Sequence, residues 1–277
     1  MKVLRCSMLV ALTATVLLSL GCSKQINYLK ARNELNKGVQ AFSAADYQIA
    51  ATRFGNALEF DPELTDAKAY QAYAYMNQFI PGGLDPENLK MAQQAIDGFQ
   101  EVLNTDADNM LATSSMASLY FNMKRFDEAE VWHNKRIELA MAQTPPDPTA
   151  ADSYYTIGVI KWTDSYAPRM EARAEMEMEP GDPGPLRDAE KRRELAVDAV
   201  PAIEEGLAAL ESALGVNPDY ADAMAYLNLL ERELADFSET SEEYEAHIAK
   251  ADAWVEQALE TKRRLAEEST TEQFSAE

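Results

Sequence analysis

The chain of 277 residues predicts an all-α array of paired helices, and three observations carry that expectation. Apolar and small residues recur at helical spacing through most of the chain, and no segment alternates apolar and polar residues as a strand would. The pattern repeats at about 34 residues, the length of one helix–turn–helix unit. Proline and glycine gather between the helical runs, as in Pro81-Gly82-Gly83 and Pro145-Pro146. A unit of this size cannot bury its own apolar face and must stack on its neighbours, which predicts a superhelical array with a concave inner surface.

The N-terminus has the features of an export signal. Lys2 and Arg5 precede an uncharged, apolar or small run from Ser7 to Leu20, followed by Gly21-Cys22 and polar Ser23-Lys24-Gln25. The run is shorter than the roughly 20 residues that span a bilayer, which favours a cleaved signal over residues 1–21. Leu18-Ser19-Leu20-Gly21-Cys22 resembles a bacterial lipobox, with Ser19 where leucine is usual. That resemblance implies lipidation of Cys22, with residues 22–30 as a short tether. Ser19 and Gly21 also suit an ordinary signal peptidase. In Gram-negative lipoproteins aspartate after the cysteine signals inner-membrane retention, so Ser23 favours the outer membrane, facing the periplasm. Two or more acyl chains anchor stably where one binds marginally. Cys6 would leave with the signal, so the mature chain would keep neither free thiol nor disulfide.

Formal net charge is −22, and the signal holds two basic residues and no acidic one, leaving −24 for residues 22–277. Such a charge disfavours nucleic acid, which is bound by neutralising phosphates with Lys and Arg. Only the extreme N-terminus is basic, where Lys24, Lys30, Arg32 and Lys37 outnumber Glu34.

The clearest unit runs from Ala31 to Leu64, two helices around a turn at Ala44-Ala45-Asp46-Tyr47. Gly38, Phe42, Ala50, Phe54, Ala57 and Pro62 stand in the register of the tetratricopeptide repeat (TPR), which the segment resembles. Small Gly38 and Ala50 let the helices approach, Phe54 fills the space between repeats, and Pro62 stops the second helix. A second unit starts at Thr65 (Ala72, Tyr75; then Ala95, Phe99, Val102, Leu103), with 11 residues inserted between its helices. The third has Ala117, Tyr120, Phe121, Phe126 and Ala129 and continues to Ala140. These three form a regular block over 31–140. Less regular units fill 141–265. The fourth places Ile157, Gly158 and Trp162 before Gly206, Leu210 and Ala213, and it takes 36 inserted residues. Of these, 167–188 are polar and proline-punctuated, and Ala189 to Val200 extend the next helix. The fifth places Leu227 and Asn228 before Ala251, Val255 and Ala258, with 11 extra residues between. The acidic tail 266–277 is expected to be disordered. The likeness covers nearly the whole mature chain, about five irregular repeats, and extends to TPR envelope lipoproteins. A group common in Acidobacteria is similar at Tyr28-Leu29-Lys30-Ala31-Arg32 and Tyr155-Thr156-Ile157-Gly158-Val159-Ile160.

No catalytic constellation stands out, and no enzyme activity, cofactor or metal is expected. The chain has two histidines. His133 falls where the repeat places a packing aromatic, and His247 lies in the charged run Glu242 to His247 and reads as a solvated helix residue. No HExxH, Walker loop or GxSxG element occurs. The run Met170 to Glu179 mixes soft thioethers with hard carboxylates that prefer different metals, and it reads as a solvated helix.

The resemblance implies binding along the concave face instead. Candidate contacts there are Phe42, Tyr73, Met76, Asn77, Phe121, Asn122, Tyr155 and Trp162, aromatic anchors with amides beside them. The alternative is that some of these rings pack between helices. Leu35 and Val39 stand where a carboxylate-clamp TPR has lysine and asparagine, so recognition of a terminal carboxylate is not implied. The expected function is a membrane-anchored periplasmic adaptor that binds a protein or peptide during envelope assembly or secretion. Two alternatives stand beside it: a small-molecule or glycan-binding accessory with a pocket beneath the long insertion near Trp162, and a self-associating structural subunit.

Overall fold

The computed structural model describes residues 24–275, with the side chains of 24–270. The signal segment 1–21, the lipidation candidate Cys22 and the final two residues of the tail lie outside the described residues. All regular structure among the described residues is helical: α1 (24–43), α2 (Tyr47–Phe60), α3 (Thr65–Met76), α4 (Pro86–Thr105), α5 (Met110–Asn122), α6 (Phe126–Met141), α7 (Ala150–Glu175), α8 (Ala189–Val216), α9 (Ala221–Phe237) and α10 (Ser241–Ser275). Among the described residues they number ten, the count that five helix pairs require. The chain also divides into two compact units, one ending at Arg125 and the other starting at Phe126, so the division falls inside the third pair.

In the first unit, α1 and α2 meet at Gly38. A Cβ there would run into the ring of Phe54, which is fully buried with Ala31, Ala50, Ala57 and Ala67. The turn between them puts Ala45 at φ 60°, and Asp46 N–H closes it on Ala41 O at 2.9 Å. Helix α2 stops at Phe60 because Asp61, ahead of Pro62, is extended with φ −142°. The same close approach recurs between α3 and α4, where a Cβ on Gly98 would lie 2.8 Å from that of Ala72. The second repeat's insertion is shared between a loop and an earlier start to α4. Asp85 caps α4 by accepting from Asn88 N–H at 2.9 Å, with Pro86 in the first turn. Asn88 then pins the loop, accepting from Ile80 N–H at 2.7 Å and donating to the carbonyls of Ile80 and Gly83, both at 2.8 Å.

In the second unit, Gly158 of α7 receives Leu210 of α8, and Ile203, Ala213, Leu227 and Leu230 complete the core around it. The segment 167–188 departs from its reading as a polar excursion. Its first part continues α7 to Glu175, through Pro168, and the rest is a turn and loop that enters the core. Ala172, Met178 and Leu186 are buried there, so Met170 to Glu179 is no solvated helix. The reason is pairing: Arg173, buried with them, finds enough acceptors to be taken out of water. The extra residues of the fifth pair lengthen the helices and leave only 238–240 as a link. That lengthening puts His247 opposite the buried Glu231, with Nδ1 2.6 Å from its carboxylate and Lys250 Nζ at 3.6 Å, so His247 is not simply solvated. Helix α10 continues through Ser275, past residue 266 where the sequence reading begins a disordered tail. An Arg264–Glu268 pair at 3.0 Å supports that turn, and the hydroxyls of Ser269 and Thr270 bond to Ala266 O.

Gly38→Val and Gly158→Val should each cost about 2 kcal/mol of unfolding free energy. Overpacking against Phe54 or Leu210 outweighs the roughly 1 kcal/mol of helix propensity gained by losing glycine. Urea unfolding measures this, and a midpoint unchanged in both variants would mean that these contacts do not hold the pairs together.

Candidate functional site

An open groove of about 530 Å³ lies in the first unit. Helix α3 is one wall, through Asp66, Ala69, Tyr70 and Tyr73. Phe42 closes it from α1, Phe99 and Val102 from α4, and Leu111 from the start of α5. The rings brace each other. Tyr70 stacks on buried Phe54 at 5.5 Å and meets Phe42 edge-on at 6.1 Å, while Tyr73 packs edge-on against Phe99 at 4.9 Å. Burial holds the Tyr73 hydroxyl above its ordinary pKa, so this ring is half core and half wall. Tyr70 and Leu111 are 39% and 69% exposed, and they form the open apolar surface of the groove.

The groove brings together Phe42 and Tyr73 of the predicted contacts. Met76 is half-buried and Asn77 exposed one turn further along α3, beyond the groove lining. Asn77 turns its amide back to donate to Tyr73 O at 2.8 Å, which commits a group expected to hold a ligand backbone. Phe121 is half-buried and Asn122 exposed at the end of α5.

Tyr155 and Trp162 belong to a separate aromatic row in the second unit. Tyr220, Tyr155, Tyr226, Trp162 and Tyr166 follow one another with centroids 5.0, 5.5, 5.5 and 4.9 Å apart. Arg169 covers the last ring at 5.5 Å. Desolvation raises the Tyr155 hydroxyl to about 12 and drives that of Tyr220, 3.2 Å from Asp152, higher still. Neither tyrosine ionises at neutral pH, and the row is built of tilted and edge-on contacts. Only Tyr166 among its tyrosines is more than one-third exposed, at 40%.

Beneath the row is a cluster of charges whose partners lie more than 60 residues away. Arg169 and Arg173 from α7 meet Asp236 from α9 at 2.6 and 2.7 Å. Arg173 also donates to the carbonyls of Glu179 (2.9 Å) and Asp182 (2.6 Å), which fixes the inserted loop. Glu233 accepts from Ser165 at 2.5 Å, and burial raises it to about 7. The space under the insertion, about 290 Å³, is bounded by Arg169, Arg173, Asp236 and Tyr244. Trp162, expected to line it, does not; its ring packs with Tyr166 and Tyr226. His133 is buried with Nδ1 3.2 Å from Ser153, and desolvation lowers it to about 4. No group of histidine, cysteine and carboxylate side chains among the described residues is arranged to hold a metal, and no described helix is long and apolar enough to cross a membrane.

Three solved structures place this architecture. Two crystal structures of MamA overlay on 86% and 83% of the chain, covering 94% and 96% of theirs, with TM-scores of 0.55 and 0.53 at 14% and 15% identity. MamA 41-end from Desulfovibrio magneticus RS-1 overlays on 85%, covering 96% of its own chain, with a TM-score of 0.54 at 14% identity. The fold is a TPR array. Identities this low speak for the fold alone, and they do not reach the narrower likeness to Acidobacterial lipoproteins. No protein-family model and no curated protein matches the chain.

With the TPR register in place, the missed groove residues fall into two kinds. Asp66, Ala69 and Leu111 stand at positions of the first helix that ordinarily face a ligand, so the register itself marks them. Tyr70 stands outside those positions, and only its stacking on Phe54 turns it into the wall.

The two buried titrating groups oppose each other. Glu233 binds its proton more tightly folded (about 7) than unfolded (4.5), so its contribution is full below pH 4.5 and is lost as pH rises towards 7. His133 binds its proton less tightly folded (about 4) than unfolded (6.5), so its contribution is full above pH 6.5 and is lost as pH falls towards 4. Each amounts to about 3 kcal/mol, and the slopes nearly cancel. Glu233→Gln should therefore leave stability rising with pH between 4 and 6.5, and His133→Gln should leave it falling between 4.5 and 7. Chemical unfolding across that range decides it, and parallel curves for both variants and the parent would exclude the scheme.

Proposed function

We propose that the chain is a non-enzymatic interaction scaffold that grips a segment of a partner protein in the groove of its first unit, while lipid on Cys22 holds it at a bacterial envelope membrane. The observation that carries the first half is the open apolar wall of Tyr70, Leu111 and Phe42, set among helices with no catalytic grouping nearby. Large rings already braced by Phe54 and Phe99 lose little side-chain freedom on binding, so the area they bury is retained as affinity. Asp66 and Asn109 at the edge offer polar contacts that set register. The second half rests on the sequence around Cys22. A lipidated N-terminus, mildly basic beside the membrane and acidic beyond it, suits a periplasmic adaptor in envelope assembly or secretion, with the outer membrane favoured by Ser23.

Two measurements separate the halves. Tyr70→Ala with Leu111→Glu changes exposed side chains, so helicity by circular dichroism should stay as it is while partner crosslinking in cells drops about tenfold, the effect of losing one anchor of about 1.4 kcal/mol. Undiminished crosslinking through this face would rule the groove out. Cys22→Ser should move the chain from the membrane fraction to the soluble one, and a variant that stays with membranes refutes the lipid anchor.

A further inference from the structure

The first unit carries a second concavity that differs chemically from the aromatic groove. It is a cleft of about 720 Å³ between α2 and α4, floored by α3. Helix α3 turns its two faces to the two sites. Tyr70 and Tyr73 point to the groove, and Gln71, Tyr75 and Gln78 to the cleft, about 150° round the helix. Gln71 donates its amide to Ala51 O at 3.0 Å and Gln78 to Ala74 O at 2.9 Å. Those bonds fix both side chains with their own oxygens left as acceptors. On the α4 wall, the side-chain oxygen of Gln94 is buried with no donor, a costly state unless something supplies one. Asn56 on α2 faces across from it. The loop pinned by Asn88 adds Ile80 and makes that wall rigid before any ligand arrives.

We infer that this cleft binds a neutral oligosaccharide. Hydroxyl groups donate and accept at once, which matches a lining of primary amides better than a ligand of one polarity. Charge sits among Glu59, Asp85, Glu87 and Lys90, from α2 and the start of α4, and α3 adds none to the floor, so ionic recognition has no centre. The acidic excess there disfavours anionic ligands. A peptide would need a run of apolar pockets for alternate side chains, and the large apolar side chains here are few, Tyr75, Ile80 and Met91, with the Tyr75 ring suited to the C–H face of a sugar. The site is independent of the groove and of the membrane anchor.

Side-chain amide signals of the ¹⁵N-labelled protein, followed while chitotetraose, cellotetraose and maltotetraose are titrated in turn, test the assignment. At least one sugar should shift the signals of Gln71, Gln78 and Gln94. Gln94→Met should weaken that binding about tenfold at unchanged thermal stability, as loss of one polar contact would. Leu111→Glu, in the other groove, should leave it intact. Spermidine is the control for a donor-only ligand. If all three sugars leave these amides unmoved at about 20 mM, if Gln94→Met binds as tightly as the parent, or if spermidine alone binds, the inference is wrong.

Discussion

The close approach of paired helices at small residues is the constraint from which the rest of each unit follows. Gly38 opposite Phe54, Ala72 opposite Gly98 and Gly158 opposite Leu210 are the same solution three times. Each helix has one apolar stripe, too narrow to be covered by a helix held at ordinary distance. Removing a Cβ draws the axes together; a large side chain from the partner fills the gap at Gly38 and Gly158, while at Gly98 a methyl group does. The binding surface is a by-product of that packing. With Phe54 sunk to the level of Gly38, Tyr70 stacks on its outer face and Phe42 leans on Tyr70, so the groove wall is the outermost layer of the core.

The second unit solves a different problem. A proline-rich polar loop has too little apolar surface to build a core of its own. It is held by two apolar plugs, Met178 and Leu186, and by Arg173, whose guanidinium joins Asp236 to the carbonyls of Glu179 and Asp182. Arg192 repeats the device, donating to Leu186 O at 2.7 Å and pairing with Glu239 at 3.2 Å. Buried ion pairs add little net stability because desolvation offsets attraction, yet losing one partner leaves a charge stranded. The cluster thus acts through geometry: it ties the loop to Asp236 in one position.

What could be read from the sequence follows the same division. Gly38, Phe54, Ala72, Phe99, Gly158 and Leu210 stand in a fixed register, and each occupies the packing position that register assigns. A count of inserted residues says nothing of their fate, because it is blind to whether a helix lengthens or a loop forms. Hence α4 starts early at Pro86, and α9 and α10 take up nearly all the extra length of the fifth pair. The charged cluster was not legible at all. In a chain with 47 acidic residues nothing marks Glu233 and Asp236, and their partners Arg169 and Arg173 lie more than 60 residues earlier. His247 was misread for the same reason, since Glu231 meets it only once α9 and α10 are packed. In the groove, Phe42 and Tyr73 were legible from repeat positions, while Tyr70 required knowledge of the ring beneath it.

Helix α3 shows how much one short element can be asked to do. Its fully buried side chains are Ala67, Ala72 and Ala74, and around them Tyr70 and Tyr73 pack on Phe54 and Phe99 while Gln71 bonds to Ala51 O. Large rings occupy one face and amides the other, each set an outer layer of the packing that keeps part of its surface open. A helix that packed through leucines would have had to give up one of those faces to hold itself in place. The alanines that make α3 a weak contributor to burial are therefore what allow it to be a wall of two chemically unlike sites at once.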